Sequence, residues 1–240
     1  MSGAVNFKEC GSVLVTGASR GLGLQIVESL ASGGFSPGKI VATARNPERA
    51  QKLQELASKH SNIHVIALDV VSQESIEKAA AEVTQLLPEH GLNCLINNAG
   101  ISVSADFNTA FLPLLRQAAS RGGAGGSRSM SIQRAAVINI SSVLGSLELN
   151  WKAETFNKWY PYKASKCALN MVSRCMALDL EADGILCMAI HPGWVRTDMG
   201  GCEAPLSPEE SISSTLSVIG GLTEKDHGSF LDYTGEVLPW

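Results

Sequence analysis

Three things are scarce in this chain. Charge is the first: 18% of the 240 residues are Asp, Glu, Lys or Arg, and the formal net charge is −4. That balance argues against nucleic acid or an anionic membrane surface as the main partner. Paired cysteines are the second. None of the six (Cys10, Cys94, Cys167, Cys175, Cys187, Cys202) stands in a C-x-x-C pair, so they read as free thiols of a reducing compartment, and no metal is expected. Long apolar runs are the third. The start, MSGAVNFKEC, has no apolar signal region and no stretch is long enough to span a bilayer. No membrane association is expected; the default is a soluble cytoplasmic protein of one domain over residues 1–240.

What is present is alternation. Short apolar runs occur at 12–16, 39–43, 63–68, 92–96, 135–140 and 185–190, with a weaker one at 229–233. Most are apolar on both faces, as strands of a parallel sheet covered on two sides are. Helical patterns lie between them. Asn46-Pro47 offers a cap and a first-turn proline, Ser207 with Glu210 matches a capping box, and Gly184 is placed to end a helix running from about Tyr160 to Asp183. This alternation implies an α/β, doubly wound domain of Rossmann type with a mostly parallel seven-stranded sheet. The one low-complexity stretch, Arg121 to Ser129, reads as a surface loop.

The first apolar run is followed directly by TGASRGLG, Thr16 to Gly23. Gly17, Gly21 and Gly23 allow a tight turn and close approach of a ligand, and the following helix presents free amides to a pyrophosphate. A glycine trio alone is a weak signal; its place at a strand-to-helix turn strengthens it. At the end of the second run the sequence reads Ala42-Thr43-Ala44-Arg45, without the acid that NAD sites place on the ribose. Arg45 and Arg20 suit a 2′-phosphate instead, which favours NADP(H) over the alternative of two solvated arginines.

Tyr162 and Lys166 are four residues apart, on one face of a helix. A nearby ammonium lowers a phenol's pKa, so the pair could protonate a carbonyl oxygen while hydride reaches its carbon. The spacing is common by chance and also fits an ordinary surface pair. Tyr160 lacks such a lysine, since Ala164 stands four residues on. Ser141 and Ser142 end the fifth run, where doubly wound sheets bind ligands.

Taken in order, TGASRGLG at 16–23, Asp69-Val70, NNAG at 97–100, the Ser142 strand end, Tyr162 to Lys166 and HPGWVRT at 191–197 resemble the classical short-chain dehydrogenase/reductase family over almost the whole chain. LVTGASRGLGLQIVESL and HPGWVRTDMGG are most similar to its sniffer-type carbonyl reductases. The resemblance implies that Gly17, Ser19, Arg20, Gly21, Leu22, Gly23 and Arg45 hold the cofactor. Asp69 and Val70 would contact adenine; Asn98, Ala99 and Gly100 would line the adenosine side; Val195 and Thr197 would meet the nicotinamide end. Tyr162 would donate the proton. Lys166 would hold the nicotinamide ribose and lower the tyrosine pKa. Ser142, rather than Ser141, would orient the carbonyl. Trp151, Trp159 and Trp194 either shape a pocket for an apolar carbonyl compound or simply pack.

One segment departs from the family's pattern. Its members carry a full helix after NNAG, which supplies a relay asparagine and often a dimer interface. Here only Ala110 to Ser120 looks helical, so this fourth crossover helix is expected to be shortened, to leave apolar surface uncovered and to put a homodimer in question. Asn108 is too close to Gly100 to be the relay residue and is expected to cap the helix, with Thr109 as its rival. Two functions follow: NADPH-dependent reduction of a small ketone, aldehyde or quinone, or NADP(H) binding with impaired or no catalysis. An epimerase or dehydratase on the same fold is the weaker third.

Overall fold

The computed structural model describes residues 7–32, 34–99, 105–121, 129–150 and 159–240, the side chains of 105–108 excepted. Seven strands form one sheet: β1 (Ser12–Val15), β2 (Lys39–Ala44), β3 (Ile63–Ala67), β4 (Cys94–Asn97), β5 (Ala136–Ile140), β6 (Leu186–His191) and β7 (Phe230–Asp232). Their order is β3-β2-β1-β4-β5-β6-β7, and every pairing between them is parallel. The order reverses direction at β1, opening a crevice between the carboxyl ends of β1 and β4.

The helices are α1 (Gly21–Ser32), α2 (Gln51–Lys59), α3 (Gln73–Leu86), α4 (Ala105–Arg121), the single turn α5 (Leu147–Asn150), α6 (Tyr160–Leu180) and α7 (Pro208–Gly220). Alternation along the strands builds two cores. Val13 and Val15 face a layer holding Ile26 and Leu30 of α1, Leu53 of α2 and Ile212 and Leu216 of α7. Leu14 faces the opposite layer, with Ile76 and Val83 of α3, Phe111 and Leu115 of α4 and Leu180 of α6. Buried on both sides, the strands must be apolar throughout, which is why they stand out in the sequence. Among the described residues, no helix is long and apolar enough to cross a membrane.

Several local expectations need correction. α4 runs from Ala105, about one and a half turns before the stretch that reads as helical, so Asn108 and Thr109 lie within the helix rather than at its start. Pro113, the ninth of its seventeen residues, stands in the helix interior, where it removes one i→i−4 bond and obscures the pattern. The face α4 covers is not bare, since Phe111, Leu114, Leu115 and Ala118 are buried in it. Exposed apolar side chains over that same face belong to α6, at Met171 and Leu178. Asn46 makes no capping bond; Pro47–Arg49 closes a 3-10 turn and α2 starts afterwards at Gln51. α6 ends at Leu180, and Gly184, with φ of 67°, closes the turn beyond it. The Ser207–Glu210 capping box forms as expected. Most of the glycine-rich loop, 122–128, lies outside the described residues.

Phe111 is wholly buried, and it anchors α4 to the sheet. Phe111→Ala is expected to destabilise the chain by about 3–5 kcal/mol in urea unfolding. A loss below about 1 kcal/mol would show that α4 is not held to the sheet as described.

Candidate active site

The cradle is built where β1 passes into α1. Gly17 and Gly21 adopt left-handed φ values of 68° and 58°. Gly23 is packed so closely that a Cβ would lie 2.3 Å from the Gly17 carbonyl oxygen and 2.5 Å from Asn98 Nδ2. No larger residue fits there without moving the loop. Ala18 N donates to Thr43 O at 2.7 Å, tying the loop to β2. Thr16 ties it to β4: its hydroxyl accepts from Asn98 N at 3.0 Å and Ala99 N at 2.9 Å. Asn98 Nδ2 returns bonds to the carbonyls of Thr16 and Gly17. Its side chain therefore shapes the cradle. Ser19, Arg20 and Gly21 are exposed at the loop's outer side and Leu22 is half-buried. The amides of the first turn of α1, lacking partners within the helix, open toward the same crevice.

The groups expected to read the nucleotide lie just beyond the carboxyl ends of β2, β3 and β6. Arg45 is exposed one residue beyond β2. Arg20 reaches in another direction and pairs with Asp198 in the loop after β6. Asp69 folds onto its own turn, its carboxylate accepting from Val71 N at 3.2 Å. Val70 is half-buried against the α3 layer. Val195 is buried and bridges to Leu206; Thr197 Oγ1 accepts from Gly200 N at 3.2 Å. Gly100 and Trp151 lie outside the described residues.

The reactive groups come from β5 and α6. Residues 162, 166, 170 and 173 follow one helical stripe, which faces the sheet. Tyr162 is largely buried, and burial raises its pKa above the ordinary phenol value; a hydrogen bond with the Ser142 side chain acts the other way. Lys166 Nζ donates to Ile140 O at 2.8 Å and lies 5.8 Å from the centre of the Tyr162 ring. Burial pulls the Lys166 pKa down to about 8. The expected lowering of the Tyr162 value by Lys166 is thus not what the chain shows. Desolvation dominates at both groups and pushes each toward its neutral form. The phenol therefore keeps its proton at neutral pH, which is the form an acid needs.

The two strand-end serines are separated by their partners. Ser141 Oγ donates to Asn170 Oδ1 at 2.6 Å and is buried beneath the helix. Ser142 Oγ accepts from Leu144 N at 3.2 Å and turns toward Tyr162. Gly145, in the 3-10 turn Val143–Gly145, sets how near the two elements come. A Cβ there would stand 2.7 Å from the Lys166 carbonyl carbon. Spacing along the chain gives no sign of this requirement. Trp159 meets the Tyr162 ring edge-to-face at 5.9 Å between centroids. Trp194 is half-exposed, its indole N–H donating to Gly200 O at 2.8 Å. Tyr160, which lacks a lysine, is exposed.

A glycine cradle at the switch point and a tyrosine–lysine pair at the carboxyl end of β5 thus stand at the same edge of the sheet. The chain belongs to the short chain dehydrogenase family, whose model matches residues 11–205. The carbonyl reductase Sniffer of D. melanogaster is 37% identical, with TM-score 0.87, covering 96% of this chain and 99% of that one. An NADPH-bound carbonyl reductase from chicken fatty liver is 40% identical, also at 0.87, covering 96% and 94%. An uncharacterised oxidoreductase of Schizosaccharomyces pombe is 30% identical over 266 positions, covering 94% of this chain and 96% of the relative. That alignment is longer than the chain, so the relative carries residues with no counterpart here.

Lys166 gives a signed pH dependence. With its folded value near 8 and its ordinary value 10.5, the unfolded chain binds more protons between these limits. The Lys166 contribution to stability must then rise with pH across that window. Comparing the native chain with Lys166→Met in urea unfolding, the native chain is expected to gain relative stability from pH 8 to 10.5. A constant difference would mean that the ammonium is not desolvated.

Proposed function

We propose that this protein is an NADPH-dependent carbonyl reductase that converts a small ketone, aldehyde or quinone to the alcohol. One observation carries the reading: half-buried Tyr162, its pKa raised by desolvation, is hydrogen-bonded to the Ser142 side chain and stands one helical turn from Lys166 at the carboxyl end of β5. The carbonyl oxygen accepts hydrogen bonds from Ser142 and Tyr162, and the phenolic proton moves to that oxygen as negative charge develops. NADPH, when bound, supplies the hydride to the carbonyl carbon. Lys166, freed to meet the nicotinamide ribose, stabilises the phenolate left behind.

The cradle suits the dinucleotide, because Gly23 leaves no Cβ between the loop and a pyrophosphate. Arg45, exposed at the end of a strand that carries no acid, is assigned to the 2′-phosphate. Arg20 joins it on leaving Asp198. Asp69 and Val70 are assigned to the adenine, Ala99 to the adenosine, and Val195 and Thr197 to the nicotinamide. Half-exposed Trp159 and Trp194, with Leu147 and Met199 exposed nearby in chain, offer an apolar rim to the substrate. The NADPH-bound chicken reductase supports the cofactor assignment. Six free cysteines fit a reducing compartment, the cytoplasm.

The second reading is a nucleotide-binding protein with little turnover. It is favoured by the residues that longer relatives carry and this chain does not. Tyr162→Phe separates the two. Consumption of NADPH with a reactive diketone is expected to fall about 100-fold or more, with NADPH binding by fluorescence retained. A wild-type rate equal to that of the variant would reject catalysis. Arg45→Ala is expected to weaken NADPH about tenfold and NADH little; equal losses for both would reject the 2′-phosphate assignment.

A further inference from the structure

Three polar side chains lie inside the apolar layer between the sheet and α6. Asn97 of β4, Asn139 of β5 and Ser173 of α6 are buried, Asn139 wholly. They form one row of hydrogen bonds. Asn97 Nδ2 donates to Asn139 Oδ1 at 2.8 Å, Asn139 Nδ2 to Ser173 Oγ at 2.8 Å, and Ser173 Oγ to Leu169 O at 2.7 Å. Asn97 and Asn139 are register partners on adjacent strands, so the row passes from sheet to helix at Asn139. The layer it crosses is otherwise apolar, with Leu95, Val137, Ala177 and Cys187 in the same core cluster. The chemistry proposed above uses none of the three.

Buried polar groups of this kind gain little over apolar packing of the same shape, but leaving one unpaired is costly. The row therefore acts more on which packing is allowed than on how stable that packing is. An apolar helix face can roll or slide on an apolar sheet with little loss. Here a roll by one residue would bring Val172 or Arg174 to Asn139, and a slip by one turn, ~5.4 Å, would bring Leu169 or Ala177. None of these side chains carries an acceptor for Asn139 Nδ2. The same helical stripe carries the reactive groups: Asn170, Lys166 and Tyr162 meet Ser141, the Ile140 carbonyl and Ser142. At the other end of the row, Asn97 precedes Asn98, whose side chain shapes the cradle. We propose that Asn139 is a positioning residue: through Asn97 and Ser173 it fixes the roll and height of α6 on the sheet, and so sets the Tyr162 hydroxyl against Ser142. The inference rests on the reading of Tyr162 as proton donor. A phenol misplaced by about 1 Å is enough to slow the transfer ~100-fold.

The test compares Ser173→Ala, Asn139→Leu and the double variant in the full chain with NADPH. Ser173→Ala removes one hydroxyl. It is expected to lower kcat with the diketone about tenfold, with KM for the diketone and NADPH affinity by fluorescence near native. Ser173→Thr, which keeps the hydroxyl, should recover most of kcat. Because both residues act in one row, the double variant should be no slower than Asn139→Leu alone. A crystal structure of Ser173→Ala should show α6 displaced on β5 and the Tyr162 hydroxyl drawn away from Ser142 Oγ. The proposal is overturned if Ser173→Ala loses stability in urea yet turns over at the native rate, since the row then only holds the fold. It is overturned equally if the two single losses multiply in the double variant, or if α6 and Tyr162 keep their native places in the Ser173→Ala crystal. Should Asn139→Leu not fold, Ser173→Ala and its structure decide alone. If the native chain turns over no faster than Tyr162→Phe, the reductase reading fails, while the place of α6 in the Ser173→Ala crystal still decides whether the row sets it.

Discussion

The site depends on forcing an ammonium and a phenol out of water in the same stripe of one helix. Lys166 and Tyr162 can be buried only because the carboxyl end of β5 receives them: Ile140 accepts from the ammonium, and Ser142 bonds the phenol. Burial then makes each group's neutral form easier to reach. A phenol that holds its proton and a lysine near 8 form a pair between which a proton can pass at cellular pH. The fold's contribution is to bring a helix against a strand end closely enough to do this, and Gly145 is the residue without a side chain that permits the approach.

A similar constraint operates at the cofactor crevice. Thr16 and Asn98 direct their hydrogen-bonding groups to each other's backbone, locking the carboxyl ends of β1 and β4 on either side of the switch point. Their contribution to a bound dinucleotide is to hold Gly17, Gly21 and Gly23 in conformations that keep the loop low and open. Arg20 pairs with Asp198, linking the first loop to the loop beyond β6 at the exposed surface.

The sheet was legible because burial on two faces demands apolar runs, and all seven strands lie within the runs that the sequence displays or one residue beyond them. α4 was less legible: its first turns carry polar residues and Pro113 interrupts its pattern, although Phe111 and Leu115 anchor it as firmly as any core helix. In the site, the shared face of Tyr162 and Lys166 followed from helical spacing alone. The opposite fates of Ser141 and Ser142 did not, because they depend on which carbonyl and amide each hydroxyl meets. The placement of Asn170 against Ser141 follows from the docking of α6 on the end of β5, which no local pattern encodes. Nor does spacing reveal that desolvation outweighs the attraction between Tyr162 and Lys166.

The central claim is that the Tyr162 phenol meets a substrate carbonyl directly beside the reduced nicotinamide. A crystal structure of the full chain with cofactor and an unreactive ketone analogue tests it most directly. The account expects the Tyr162 hydroxyl and the Ser142 hydroxyl both within about 3 Å of the carbonyl oxygen. A ketone bound with its oxygen turned away from both hydroxyls, or a nicotinamide on the far side of the sheet from α6, would contradict it.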